Sequence, residues 1–160
     1  MTGDRLQRAL ELAYRYLDDR DRTVAEMRRQ LAGRGLGGEE IDGAVQALIA
    51  DGYLDDARFA RLFAQDKREL QQWGQDRIRR ALLQRGLDRE LVDDALQATS
   101  CEPELERAVA VLRSRLRCPP RDRRERDRAL GVLIRKGYDG ELALEALAAY
   151  ARDAGLPDSL

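Results

Sequence analysis

The sequence predicts an all-α protein made of three tandem three-helix repeats, each about 51 residues long, in an elongated or curved array of helix-turn-helix-like units. Aromatic residues make up only 5% of the 160 residues, while Ala, Leu, Arg and Glu, which favour helices over strands, dominate. Apolar residues recur at the three- and four-residue spacing of helices. One ten-residue pattern also occurs three times at a constant spacing, which is typical of repeat proteins.

The repeated pattern is an apolar residue, a leucine four positions later, then a basic residue, glycine and an apolar residue. Its copies begin at Met27, Ile78 and Ala129. The first apolar residue and the leucine share one helical face. A basic residue followed by glycine is typical of a helix C-terminus, where a cation is favourable and glycine adopts positive φ. We therefore expect helices that end at Gly35, Gly86 and Gly137.

Two further helices complete each repeat. The helix before the pattern is predicted over about 6–17, 56–70 and 103–116. The helix after it opens with carboxylates, which stabilise a helix N-terminus by ~0.3–1 kcal/mol each. These carboxylates are Glu39, Glu40, Asp88, Glu90, Asp139 and Glu141. One repeat buries little surface, so stacked neighbours are needed for stability. The predicted domains are 1–52, 53–102 and 103–160.

Local signals mark several of the helix ends. Residues 23–26 (Thr-Val-Ala-Glu) form a capping box at the start of the first pattern helix. Asp55 and Asp56 precede a helix, where one is expected to cap it and both favour its N-terminus. Pro103 suits the first turn of its helix, and residues 119–120 (Pro-Pro) break the chain before the next one.

The composition excludes several kinds of site. There is no histidine, which removes imidazole bases, histidine metal ligands and Ser-His-Asp triads. Cys101 and Cys118 are too few for a cysteine zinc site and are predicted to be free thiols. Glycines at 33–38 join two helical patterns, so we interpret them as a turn rather than a nucleotide-binding loop. We expect no catalytic residue, cofactor or metal. Without a signal peptide or an apolar run able to span a bilayer, a cytoplasmic location is expected.

The near-zero net charge of −1 hides a strong segregation along the chain. Residues 1–57 carry 8 basic and 12 acidic groups, a net charge of −4. Residues 58–136 carry 20 basic and 13 acidic groups, a net charge of +7, and residues 137–160 return to −4. The middle of the chain is therefore expected to attract phosphates or carboxylates.

Arginines recur on the equivalent helix of each repeat and are the candidate partner-binding or DNA-binding residues. These candidates are Arg28, Arg29, Arg77, Arg79, Arg80, Arg85, Arg121, Arg123 and Arg124. Guanidinium groups bind carboxylates and phosphates in a bidentate manner. The alternative is that they form solvated faces paired with local acids. Trp73 and Tyr53 are either core or capping residues or, alternatively, stacking platforms for single-stranded bases.

Residues 51–60, Asp-Gly-Tyr-Leu-Asp-Asp-Ala-Arg-Phe-Ala, resemble a recognisable stretch of the RecX family of bacterial recombinase regulators. Its motif residues are Gly52, Tyr53, Leu54, Asp55, Asp56, Arg58 and Phe59. Segments 20–27, 74–78 and 135–138 resemble the family at the corresponding repeat boundaries, so the likeness covers about residues 6–150. Gln75 departs from the family, many of whose members carry proline there.

The resemblance implies a fold of tandem three-helix repeats and a function. RecX proteins bind the RecA recombinase, lodge in the groove of its filament on single-stranded DNA, and inhibit strand exchange, ATP hydrolysis and co-protease activity. The resemblance thus implies a non-enzymatic regulator of DNA repair, recombination and the SOS response. The residues leave two alternatives: a stand-alone helical module that binds single-stranded or duplex DNA, and a helical scaffold for other proteins.

Overall fold

The computed structural model describes residues 2–100 and 102–155, and these form nine helices and no strand. The helices are α1 (Thr2–Asp19), α2 (Val24–Gly33), α3 (Gly38–Ala50), α4 (Asp56–Gln71), α5 (Gln75–Gln84), α6 (Arg89–Ala98), α7 (Glu104–Arg115), α8 (Arg123–Lys136) and α9 (Gly140–Asp153). The prediction of an all-α fold is confirmed. Within the described ranges, no helix combines the length and the apolar character that crossing a membrane requires.

The three pattern glycines end their helices as predicted. Gly35, Gly86 and Gly137 have φ values of 82°, 85° and 100°, a left-handed conformation that side chains with a Cβ rarely adopt. The glycine-rich stretch at 33–38 is the turn between α2 and α3. Because α2 and α5 have 10 residues each and α8 has 14, the third pattern helix is about one turn longer, and three of its four extra residues lie at its start.

The chain divides into two compact units. Unit 1 comprises Met1–Leu62 and Leu82–Ala95, and unit 2 comprises Phe63–Ala81 and Leu96–Leu160. Residues of the predicted second repeat thus belong to both units. The repeat boundaries 1–52, 53–102 and 103–160 and the elongated or curved shape stay predictions.

The core of unit 1 lies where α1, α2 and α3 pack together. Met27 and Leu31, the two apolar positions of the first pattern, are completely buried. Burial of such side chains stabilises a fold by about 1.5–3 kcal/mol each. The other buried members of this cluster are Ala9, Ala13, Ile41, Ala44, Val45, Leu48 and Leu54.

The core of unit 2 lies between α7, α8 and α9. Ala129 and Leu133 occupy the same two pattern positions on α8 and are also buried. Tyr138 and Tyr150 close this core, and the Tyr150 hydroxyl donates a hydrogen bond of 3.1 Å to the carbonyl oxygen of Leu116. The equivalent residues of the second pattern, Ile78 and Leu82, are fully buried as well. The pattern therefore identifies core positions in all three copies.

Candidate partner-binding surface

The start of α2 and the end of α5 meet at a junction within unit 1. The Thr23 hydroxyl accepts a hydrogen bond of 3.1 Å from the Glu26 amide, and the Thr23 amide donates one of 3.2 Å to the Glu26 carboxylate. The predicted capping box is therefore confirmed. The same hydroxyl donates a 2.8 Å hydrogen bond to the Arg85 carbonyl, and the Val24 amide donates a 2.9 Å bond to the Asp56 carboxylate. These contacts satisfy amides that a helix start leaves unpaired.

Gly86 and Arg85 close this junction from the α5 side. A Cβ on Gly86 would overlap the Cβ of Ala25, so this position needs glycine for space as well as for its positive φ. The Arg85 Nε lies 3.7 Å from the Glu26 carboxylate, and the guanidinium lies 5.3 Å from the ring centroid of Phe59. The structure thus places Arg85 among local contacts.

A second junction, between the start of α5 and the end of α8, lies within unit 2. The Gly74 amide donates a 2.7 Å hydrogen bond to the Lys136 carbonyl, and the Asp76 amide donates a 3.1 Å bond to the Gly137 carbonyl. The Gln75 amide donates a 3.2 Å bond to the Glu104 carboxylate. A Cβ on Gly137 would lie 2.6 Å from the backbone nitrogen of Arg77. The two backbones therefore touch directly.

The backbone positions of the two junctions correspond at the 51-residue spacing, whereas their carboxylates, Asp56 and Glu104, are 48 residues apart. Thr23 and Gly74 face the carbonyls of Arg85 and Lys136, respectively. The first amide of α2, that of Val24, donates to Asp56 at the start of α4. The first amide of α5, that of Gln75, donates to Glu104 at the start of α7. The sequence shows carboxylates at the starts of α4 and α7, but it did not predict that they bond to the starts of α2 and α5.

Arg77 belongs to the second junction. Its guanidinium donates a 3.0 Å hydrogen bond to the Arg135 carbonyl and lies 4.0 Å from the ring centroid of Trp73. Lys67 also lies over this ring, at 4.7 Å, and Phe63 meets it edge-on at 6.3 Å. Trp73 is half-buried, so its contacts here are those of a packed junction residue.

The remaining candidate arginines divide into paired and outward-facing groups. The Arg28 guanidinium is paired with the Asp42 carboxylate at 2.6 Å, and Arg79 is half-buried and has an interaction of its own. The exposed candidates are Arg29, Arg80, Arg121, Arg123 and Arg124. Arg123 and Arg124 lie in the first turn of α8, and Arg121 lies just before its N-cap Asp122, so residues 121–124 are the most arginine-rich exposed segment among the candidates.

The additional turn of α8 is held by its own caps. The Glu125 amide donates a 2.8 Å hydrogen bond to the Asp122 carboxylate, and the Arg121 amide donates a 2.8 Å bond to the Glu125 carboxylate. These two bonds hold the backbone of residues 121–125 at the start of α8. The exposed guanidinium groups therefore project from an ordered helix end.

The motif at 51–60 connects α3 to α4 through residues 51–55 and supplies the first five residues of α4. The Asp55 carboxylate accepts a 3.1 Å hydrogen bond from the Arg58 amide, which confirms the predicted capping role. Asp56 instead bonds the start of α2, and burial, followed by its carboxylate neighbours, raises the pKa of its side chain. Leu54 is buried, whereas Tyr53 is exposed and meets Tyr14 edge-on at 5.3 Å. Cys118 is an exposed free thiol, and Cys101 lies outside the described residues.

Comparison with known families identifies these three-helix arrangements. Residues 9–48 match the first three-helix domain of RecX, and residues 55–96 match the second. The chain belongs to the RecX family. The resemblance predicted from residues 51–60 is thus confirmed.

Curated relatives span most of the chain. The regulatory protein RecX of Trichlorobacter lovleyi is 35% identical over 134 residues, which cover 81% of this chain and 87% of the relative. That of Thermus thermophilus is 36% identical over 138 residues, which cover 86% of this chain and 89% of the relative. The RecX family fold is also present in a crystal structure from Lactobacillus salivarius. It superposes with a TM-score of 0.80 at 18% identity and covers 94% of this chain and 99% of that one.

Proposed function

We propose that the protein is a non-enzymatic cytoplasmic regulator that binds the RecA filament and inhibits its recombinase, ATPase and co-protease activities. In this way it modulates DNA repair and the SOS response. Membership of the RecX family supports the regulatory role, because relatives over most of the chain carry the name regulatory protein RecX. The observation that carries the binding surface is the capped, exposed arginine turn at the start of α8.

The proposed contact is electrostatic. Residues 58–136 have a net charge of +7, so this part of the chain attracts an acidic protein surface or the phosphates of filament DNA. Charge-assisted bonds from arginine to carboxylate or phosphate are about twice as strong as neutral ones. Because the turn at 121–125 is already ordered, binding costs little backbone entropy there. Inhibition then follows from blocking access of a second DNA or the movements tied to ATP turnover.

The candidate arginines have different proposed roles. Arg29, Arg80, Arg121, Arg123 and Arg124 are exposed and are proposed to touch the filament. Arg77 and Arg85 are proposed to act indirectly, by holding the junctions from which their neighbours project. Charge reversal of the exposed group should therefore weaken binding to the filament. Charge reversal of Arg77 and Arg85 should instead lower the stability of the fold.

The decisive experiment titrates the protein into RecA ATPase on single-stranded DNA. The test variant carries Arg121→Glu, Arg123→Glu and Arg124→Glu. Carboxylates suit the start of a helix, so α8 should remain folded. The matched control carries Arg8→Glu, Arg15→Glu and Arg20→Glu, an equal charge change at three exposed arginines of the first predicted repeat. We expect inhibition to weaken at least ~10-fold in the test variant and much less in the control. Equal inhibition by both variants would contradict the proposed surface.

A stand-alone DNA-binding module is the second candidate, favoured by the exposed arginines on an ordered helix end. Binding to bare DNA, measured in the same buffer, separates the two. A DNA module binds tightly without RecA. The logarithm of its binding constant falls linearly with the logarithm of the salt concentration, with a slope of about −0.9 for each duplex phosphate that it neutralises. Inhibition at protein levels too low to coat the DNA would support the filament regulator instead.

A further inference from the structure

Unit 2 contains a small polar pocket that the proposed function does not use. Its volume is about 300 Å³. The residues that matter for its chemistry are Arg68, Glu69, Gln72, Glu102, Arg107 and Tyr138. Two of them are cations, two are carboxylates and two are neutral hydrogen-bonding groups.

Arg68 is an unusually buried cation, with only 4% of its surface exposed. One of its terminal nitrogens donates a 3.0 Å hydrogen bond to the Leu96 carbonyl, and the same nitrogen also bonds the Thr99 hydroxyl. These bonds fix the guanidinium in place. Arginine does not lose its proton at any ordinary pH, so the group keeps a full positive charge inside the protein.

Arg107 brings the second positive charge to the pocket. Its Nε is buried, and among the described residues no atom accepts a hydrogen bond from it. Most buried polar groups are hydrogen-bonded, and an unpaired donor inside a protein is costly. Arg107 and Arg68 line the same pocket, and two positive charges in one pocket are suited to an anion.

The neutral groups shape the rest of the wall. Gln72 has a φ of 56°, which ends α4, and its carbonyl accepts a 3.0 Å hydrogen bond from the Tyr138 hydroxyl. Burial raises the pKa of Tyr138 to about 12, so this hydroxyl stays neutral and does not oppose an anion. The tyrosine and Ala110 give the pocket an apolar side against which a methylene chain can pack.

The acidic residues lie at the exposed edge. Glu69 and Glu102 are both exposed, whereas Arg68 is buried and Arg107 is partly buried. An entering ligand therefore meets negative charge first and positive charge deeper. A nucleic acid, which carries a charge at every nucleotide, is repelled by these carboxylates. A single acidic side chain is tolerated, especially when its own neighbours are basic and face Glu69 and Glu102.

We propose that this pocket binds the carboxylate of one aspartate or glutamate side chain from a protein partner. Arg107 and Arg68 supply the positive charge that attracts the carboxylate, and the methylene stem lies against Ala110. The inference is independent of the proposed function, because it concerns a different surface and can be tested without RecA.

The test follows the arginine Nε–H signals of the full chain by NMR during addition of N-acetyl-glutamate methylamide. The signal of Arg107 is assigned by its loss in Arg107→Gln. We expect it to shift in a saturable manner, and the matching glutamine compound to cause no such shift. Changing Arg107 to Gln should weaken binding at least 10-fold, as seen by the Arg68 signal. Arg117→Gln, at an exposed arginine nearby in sequence, should leave it unchanged.

Two further probes separate the possible ligands. Inorganic phosphate and a short oligothymidylate are added to the same sample. Either probe binding this site more tightly than the glutamate compound would overturn the assignment to an acidic side chain. A linear, non-saturating shift of the Arg107 signal, or an equal response to the glutamine compound, would also overturn it. These results come from titrations of the unmodified protein, and the Arg107→Gln variant serves them only by assigning the Arg107 signal.

Discussion

The hydroxyl of Thr23 donates a hydrogen bond of 2.8 Å to the carbonyl oxygen of Arg85, 62 residues further along the chain. The Thr23 hydroxyl oxygen also caps the start of α2, because it accepts a hydrogen bond from the Glu26 amide. One buried side chain therefore serves a local helix start and a distant helix end at once. The residue that the sequence identifies as the cap of α2 is therefore also the residue that joins α2 to the end of α5.

Thr23→Val should destabilise the protein clearly more than Thr23→Ser. Valine keeps the shape but removes both hydrogen bonds of a completely buried hydroxyl, at a cost of about 1–3 kcal/mol. Serine keeps the hydroxyl and loses one methyl, about 0.8 kcal/mol. Urea unfolding followed by circular dichroism measures both differences. Equal losses for the two variants would show that the hydroxyl contributes nothing.

Gly137→Ala should destabilise the chain more than Gly35→Ala, although both glycines have positive φ. The left-handed conformation costs either alanine about 1–2 kcal/mol. At Gly35 the added Cβ meets open space, whereas at Gly137 it lies 2.6 Å from the backbone nitrogen of Arg77. The overlap should add at least about 1 kcal/mol. Thermal unfolding of the two variants tests this, and a smaller effect at Gly137 would refute direct backbone contact at the second junction.

Deprotonation of Tyr138 should lower the free energy of unfolding at high pH. Its pKa is raised by burial to about 12 in the folded protein, above the ordinary value near 10. The folded state thus holds the proton more tightly, so the stabilisation is complete below about pH 10 and is lost as the pH rises towards 12. We expect a loss of about 1–2 kcal/mol over this range, after allowing for solvent screening.

Tyr138→Phe is the reference for this pH dependence. It removes the titrating group together with the hydrogen bond to the Gln72 carbonyl, so the variant starts about 1–2 kcal/mol less stable at neutral pH. The difference in the free energy of unfolding between the wild-type protein and the variant should shrink above pH 10, because only the wild-type protein loses the stabilisation by Tyr138. Urea midpoints at pH 8, 10 and 11 provide the comparison, and a constant gap would argue against the raised pKa.

Arg80→Glu and Arg77→Glu should separate binding from folding. Arg80 is exposed, so its reversal should change stability by no more than about 0.5 kcal/mol and weaken RecA inhibition at least ~10-fold. Arg77 bonds the Arg135 carbonyl and lies over Trp73, so its reversal should cost about 1–2 kcal/mol of stability. Melting curves and RecA ATPase assays on the same preparations measure both. Wild-type inhibition by a folded Arg80→Glu variant would remove this residue from the proposed surface.

Features that depend on short stretches of chain were predictable from the sequence. The apolar positions Met27 and Leu31 lie one helical turn apart, so their burial follows from local periodicity. The endings at Gly35, Gly86 and Gly137 follow from the conformational freedom of glycine. The aspartates before α4 and the capping box at Thr23 are likewise local. The family resemblance rested on such signals and on their constant spacing.

Only the tertiary structure decided which arginines are free to meet a partner. Arg77 and Arg80 are close on one helix in the sequence, yet one bonds the end of α8 and the other is exposed. Asp56 bonds an amide 32 residues away, and Arg68 is buried against the end of α6. Helical periodicity places a residue on a face of its own helix, but it does not state what packs against that face. Those contacts depend on loop paths and on packing between distant segments.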